Sequence, residues 1–332
     1  MNFLFLTALC VNLIFLVNIY KISKYINIHD IPDGKRKIHR TKVPLVGGVI
    51  FIYNLFIFLF FDFFFNLSDG NFFYERNYFS LYFISTIIFL LGMYDDKFDM
   101  KPNTKIILIT IILLVSVLVN ENLLINELQF TSFDKNIPLK NFSVFFTIFC
   151  IFIFINAFNM FDGINLQSGL YTVVIFSFFI FKNLMVVFSA LFLLSSFFFL
   201  YLNFKNKTFL GNGGSNLVSY LISYFLIIDY NINQKIFLEE ILVLMLIPGL
   251  DMLRVFIIRV SRGKNPFVAD KNHIHHLIIK KLNNIQANII LITLVVTPIL
   301  LSQIKLIPLL YSIVIGITLY ISTILFFTKL KK

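Results

Sequence analysis

Phe142-Ser-Val-Phe-Phe-Thr-Ile-Phe-Cys-Ile-Phe-Ile-Phe-Ile-Asn-Ala-Phe-Asn-Met-Phe-Asp-Gly163 decides the fold. A helix that crosses a bilayer needs roughly 20 mainly apolar residues, and 142–160 supplies them without a single charge. The stretch closes on Asn156, Asn159 and Asp162, each three residues after the last. A helix carried through them sets all three on one face. Amides in that place can bind a base, a sugar hydroxyl or a phosphate. They can equally join neighbouring helices inside a membrane, and the stretch alone leaves both readings open.

Ten further stretches repeat the pattern: 3–20, 44–66, 78–94, 104–120, 165–182, 184–202, 210–229, 237–258, 286–302 and 306–328. The splits near Lys182-Asn183 and Ser302–Lys305 are the shortest interruptions, so ten spans would also fit. The expected fold is all-α, a polytopic membrane protein of about 11 spans, with 1–332 as one integral-membrane domain. Composition agrees: 58% of residues are hydrophobic and 14% charged, against about a quarter charged in an ordinary soluble domain. This excludes a soluble enzyme and a disordered chain. It also excludes a nucleic-acid binder, despite the net charge of +11. Cys10 and Cys150 lie inside apolar runs, which argues against disulfides and cysteine metal sites. The first span lacks a basic leader and a small-x-small cleavage site, so it reads as a retained anchor.

Lys and Arg set the expected orientation. Of the 28, 22 fall in 21–42, 97–105, 203–208, 254–281 and 329–332, and these segments alternate with the remaining loops. The positive-inside rule makes them cytoplasmic, with the N-terminus outside and the C-terminus inside.

The same side holds the chemistry, in loops 21–43, 95–105, 156–165, 203–215 and 251–281. Lys35, Arg36, Lys37 and His39 could meet phosphates, although a patch that touches anionic lipid is the simpler reading of that segment. Asp95, Asp96 and Asp99 crowd the end of a helix, where carboxylates oppose the macrodipole and repel one another unless a cation sits among them. Oxygen donors without cysteine suit Mg²⁺, or Mn²⁺. Gly211-Asn-Gly-Gly-Ser215 leads into a helix whose free N–H groups could receive an anion, or forms only a tight turn. Arg254 is followed by His273, His275 and His276, which fit a diphosphate better than zinc because paired-histidine spacing is absent.

In this order the segments resemble the polyprenyl-phosphate N-acetylhexosamine-1-phosphate transferase family, a relative of the phospho-N-acetylmuramoyl-pentapeptide transferase. The resemblance spans residues 30–277. It is carried by Asp95-Asp96-x-x-Asp99, Asn156-x-x-Asn159-x-x-Asp162-Gly163, the glycine-rich 211–215, Pro266–Asp270 and His273-x-His275-His276. It implies Mg²⁺-dependent transfer of a sugar-1-phosphate from a UDP-sugar to a polyprenyl phosphate, with release of UMP, in a bacterial inner membrane. Homodimers are compatible with it.

By motif position Asp95 would be the base or acceptor-orienting carboxylate, Asp95, Asp96 and Asn212 would be the metal ligands, and Asp99 would complete the catalytic set with the pair. Asn156, Asn159, Asp162 and Asn165 would line the nucleotide pocket, and Phe209 would take the place of a uracil-stacking aromatic. His273, His275 and His276 would bind the diphosphate or sugar, with Lys37, His39 and Arg254 also on the substrate side. Asn212 stands where the family usually has Asp, and Asn165-Leu166 where it usually has Asp-Gly. An amide oxygen can still ligate Mg²⁺, with less charge to offset the ion. The competing reading is a transporter, although transport sites lie near the midplane and these carboxylates crowd one face.

Overall fold

The computed structural model describes residues 2–32, 41–65, 67, 75–265, 270–304 and 308–329. Lys35, Arg36, Lys37 and His39 lie outside the described residues, as do 266–269. Helices occupy all eleven expected stretches. In order they are α1 (Asn2–Ile26), α2 (Gly48–Phe65), α3 (Glu75–Tyr78), α4 (Ser85–Phe98), α5 (Pro102–Val119), α6 (Ser143–Phe161), α7 (Gln167–Phe181), α8 (Val186–Phe204), α9 (Gly211–Ile228), α10 (Leu238–Ser261), α11 (Ile274–Ile279), α12 (Asn284–Ser302) and α13 (Leu309–Lys329). A π-helical segment, Phe79–Ile84, joins α3 to α4.

Among the described residues, eight helices are long and apolar enough to cross a membrane: α1, α2, α5, α6 with the turn before it, α8, α10, α12 and α13. The other three expected stretches fall short for local reasons. The π segment leaves α4 with 14 residues, α7 has only 15 residues, and α9 carries Asn, Ser and Tyr along its length.

α9 is the axis of the bundle. Every residue from Gly213 to Ile228 is buried, as expected of a helix enclosed on all sides, and α2, α4, α6 and α7 pack against it. At its start the helices meet backbone to backbone. A Cβ on Gly92 of α4 would lie 2.5 Å from the carbonyl oxygen of Asn212, so only glycine allows α4 to come this close.

α1 buries Leu4, Ala8, Asn12, Phe15, Ile19 and Ser23, a stripe at helical spacing that packs on α2 and α8. The Asn12 and Asn54 amides exchange hydrogen bonds within that contact.

Two antiparallel ribbons depart from the all-helical expectation. β1 (His29–Asp30) pairs with β2 (Val43–Pro44), and β3 (Glu127–Phe130) with β4 (Lys135–Pro138). The first ribbon leads straight into the start of α2. Phe209 donates to the Pro44 carbonyl at 2.9 Å and accepts from Gly47 at 2.9 Å, so residues 44–48 lie along the entry to α9. The second ribbon follows α5 and therefore lies at the opposite end of the bundle.

Candidate active site between the end of α4 and the start of α9

α4 delivers Asp95 and Asp96 to the first turn of α9. The N–H groups of that turn have no partner within their own helix and concentrate the positive end of its dipole. Asn212 N and Gly213 N donate to the two oxygens of Asp96 at 3.0 and 3.2 Å. Gly211 makes this approach feasible. Its φ is +74°, and a Cβ there would lie 2.6 Å from Asp96 Oδ2.

Asp95 is buried, 8% exposed, and fully engaged. Met100 N donates to its Oδ1 at 3.0 Å. Its Oδ2 takes the Asn212 side-chain amide at 3.0 Å and the Lys105 ammonium at 2.8 Å. Lys105 reaches it because the chain turns sharply after α4. Asp99 takes a left-handed conformation, φ 51°, and Pro102 starts α5, where a missing N–H costs nothing. Asp99 itself is exposed and ends the helix through its N–H to the Asp95 carbonyl. Among the described residues no three His, Cys, Asp or Glu side chains are grouped as a metal site, so Asp99 does not join the pair as a third carboxylate ligand.

Asn212 is the hub. Its side-chain oxygen accepts from Asn159 Nδ2 at 2.6 Å, and Asn159 also donates to Ser215 at 2.8 Å. Asn156 instead donates to the Phe152 carbonyl of its own helix. Asp162 caps the end of α6 and accepts from Ser168 at 2.5 Å. Burial pushes its carboxyl up to about 6, and the Ser168 hydroxyl works against that rise.

Asn165 acts as a tie. Its amide donates to the Asn203 carbonyl and to Asn206, and its carbonyl accepts from Asn284 and Asn288. Leu166 adopts φ 75°, a left-handed backbone that favours glycine, and its N–H is held by Asn203 Oδ1 at 2.6 Å.

The histidine segment is pinned from below. His273 Nδ1 lies 2.7 Å from Asp251 Oδ2, and its Nε2 lies 3.3 Å from Arg259 Nη2. Arginine can only donate, so Nε2 accepts, the proton sits on Nδ1, and both ring nitrogens are used within the protein. Arg254 is likewise engaged, with Asp251, the Asn272 carbonyl and Tyr320. Burial alone would raise the Asp270 carboxyl, but the Arg259 guanidinium and Asn272 hold it well below the usual carboxylate range.

His275 stacks parallel to His273. Its Nε2 abuts Gly163, where a Cβ would approach to 2.0 Å. Its Nδ1 has no hydrogen-bond partner among the described residues, and burial, with His276 beside it, pushes the imidazole well below its ordinary pKa. The imidazole is therefore buried, neutral and oriented.

α6 thus links the two halves, with Asn159 on the acidic pair and Gly163 on the histidines. Sequence reasoning gave no site role to Lys105, counted there only as a topological charge, and no individual role to Ser215 or to the Asp251–Arg259–Tyr320 support. Their roles depend on turns and helix contacts that spacing does not display.

Residues 78–229 match the family described as glycosyl transferase family 4. The undecaprenyl-phosphate alpha-N-acetylglucosaminyl 1-phosphate transferase of Thermotoga maritima is 30% identical over 266 residues, which cover 80% of this chain and 77% of that protein. The enzymes of the same name from Salmonella typhi and Escherichia coli K12 are 28% and 27% identical over 294 residues, covering 85% of this chain and 77% of theirs. The transport reading finds no support among these relatives. With a relative this similar along most of both chains, the protein belongs to glycosyl transferase family 4, the polyprenyl-phosphate sugar-1-phosphate transferases that its ordered polar segments resemble.

Proposed function

We propose that the protein transfers a sugar-1-phosphate, an N-acetylhexosamine 1-phosphate, from a UDP-sugar to undecaprenyl phosphate and releases UMP, opening the synthesis of a lipid-linked cell-envelope glycan. The names of its relatives support the acceptor and the reaction class. The observation that carries the reading is the gathering of Asp95, Asp96, Lys105, Asn159 and Asn212 at one end of an apolar bundle. A lipid-borne acceptor and a water-borne donor can meet only at such a boundary. We place that end in the cytoplasm, from the charge asymmetry, in the inner membrane of a bacterium.

Both substrates are anionic, so the chain has to offset charge. Lys105 and the first N–H groups of α9 supply positive potential on one side of the pair. Asp95 orients the acceptor phosphate, or takes its proton. His275, seated on Gly163, and His276 beside it receive the donor's diphosphate, and Asn159 and Asp162 lie on the nucleotide side. Oxygen donors on Asp95, Asp96 and Asn212 suit Mg²⁺, or Mn²⁺, and the Lys105 ammonium already occupies a cation position between Asp95 and Asn212. A bound divalent ion would supply further neutralisation of the transferred phosphoryl group.

The test is UMP release by the purified protein from a panel of UDP-sugars with undecaprenyl phosphate in mixed micelles. Release that requires both substrates supports the reading. Absence of release across the panel overturns it.

A further inference from the structure

We infer that Lys105 and Asn212 form a resident counter-charge that assembles the acidic pair before a divalent cation arrives and then competes with that cation for Asp95. The inference rests on the transferase reading only in taking the pair as a cation site.

A carboxylate oxygen offers two lone pairs, and both on Asp95 Oδ2 are occupied, by the Lys105 ammonium at 2.8 Å and the Asn212 amide at 3.0 Å. The Asn212 atom that faces Asp95 is therefore a donor nitrogen, which cannot ligate a metal. Its oxygen points the other way, to Asn159 at 2.6 Å, with Lys105 at 3.5 Å. Asp96 is satisfied separately by two N–H groups of α9. The two carboxylates thus already meet one full positive charge, and a partial one of about half a unit from the helix end.

A divalent ion that enters at Asp95 Oδ2 must displace the ammonium and turn the Asn212 amide. Displacement frees Lys105 to meet an incoming phosphate, so metal loading and substrate capture become one exchange of partners. Asn at 212 is essential to this arrangement. A carboxylate there could not donate to Asp95, and it would add a negative charge beyond what the single Lys105 ammonium offsets.

The experiment measures Mn²⁺ binding to the purified full chain by electron paramagnetic resonance, alongside the melting temperature in EDTA and in Mn²⁺. Lys105→Met should bind Mn²⁺ at least about tenfold more tightly than the wild type, since a unit charge at ion-pair distance is removed. Lys105→Arg, which keeps the charge, should stay within about twofold of the wild type. Asn212→Asp should melt lower than the wild type in EDTA and gain more from Mn²⁺. Unchanged or weaker Mn²⁺ binding by Lys105→Met overturns the inference. If that variant does not fold, Asn212→Asp decides alone, and equal Mn²⁺ responses of its melting temperature and the wild type's overturn it.

UMP release by the wild type is scored in the same preparation. Release without tighter binding by Lys105→Met removes the inference and leaves the transferase reading. Tighter binding with no release from any UDP-sugar does the reverse.

Discussion

Asp251 and His273 are joined at 2.7 Å across the α10–α11 interface, and the pair fixes where α11 begins. Asp251 Oδ1 also takes Arg254 at 2.8 Å, Tyr320 at 2.9 Å and the N–H of Ile274 at 3.0 Å. One carboxylate, 2% exposed, therefore fixes α10, α11 and α13 together and presents His275 to Gly163.

Removing that carboxylate leaves a guanidinium and an imidazole without their anion. Asp251→Ala should cost about 3–5 kcal/mol, the usual loss on breaking a buried pair, seen as a lower melting temperature in detergent. His273→Ala should likewise lose stability and activity together. A His273→Ala protein that melts like the wild type and yet has lost UMP release would show that His273 meets substrate directly.

Asp95→Asn and Asp96→Asn should each lower UMP release by about a hundredfold or more, the scale of lost electrostatic stabilisation in a water-poor site. Both should also melt lower than the wild type. Asp96 caps α9 with two accepted hydrogen bonds and Asp95 accepts through both oxygens and pairs with Lys105, whereas an amide offers one acceptor atom in place of two. Near-normal release by both variants would refute the assignment of the pair.

The acidic pair was legible in the sequence because its members are adjacent, and the glycine-rich entry to α9 because Gly211 and Gly213 announce a close approach. Lys105 was not legible. It reaches Asp95 only because Asp99 turns left-handed and α5 folds back beside α4. The fates of His273 and Arg254 were hidden for the opposite reason: their partners, Asp251 and Tyr320, come from other helices. The β3–β4 ribbon has a short alternating signal that a search for long apolar runs passes over.

Stability should vary with pH through two carboxyls of opposite sign. Asp162 titrates near 6 in the folded protein, against 3.8 ordinarily. Its folded pKa is raised, so its contribution is fully present below pH 3.8 and is lost as pH rises through about 6. Asp162→Asn should then be more stable than the wild type at pH 7.5, by on the order of 2 kcal/mol, and the difference should vanish by pH 4. Asp270 has a lowered pKa, so its contribution is present above the ordinary carboxylate range and lost as pH falls through its folded value. Asp270→Asn should be destabilising at pH 7.5 and progressively less so in acid. Melting curves of the three proteins across pH 2–8 check both signs.

Orientation can be read chemically. In a background without Cys10 and Cys150, a cysteine at Lys101, between α4 and α5, should resist an impermeant thiol reagent in intact cells and react after permeabilisation. A cysteine at Lys135, in β4 at the other end of the bundle, should react without permeabilisation. The reverse pattern would place the acidic pair outside, away from any cytoplasmic UDP-sugar.

The π segment lies far from the chemistry along the same two helices. A π turn disturbs the regular hydrogen-bond ladder, and hydroxyls of α9 answer its carbonyls: Tyr224 donates to Asn77 O and Tyr220 to Ser80 O, each at 3.2 Å. The Tyr224 oxygen also accepts from Asn120 at 3.1 Å and Ser80 at 3.4 Å. Tyr224→Phe keeps the ring in place and removes its hydroxyl, while Asn120 still donates to Ser80 and Ser80 to the Asn77 carbonyl, so it should cost about 1 kcal/mol, the net worth of a hydrogen bond. Along α9, Tyr224 is twelve residues from Asn212, roughly 18 Å at 1.5 Å per residue. If the segment only closes the far end of the bundle, the variant will melt lower while its kcat and KM for UMP release, measured well below the melting temperature, stay at wild-type values. A change in KM at full folding would instead make the π segment a hinge that sets how α4 presents Asp95 and Asp96.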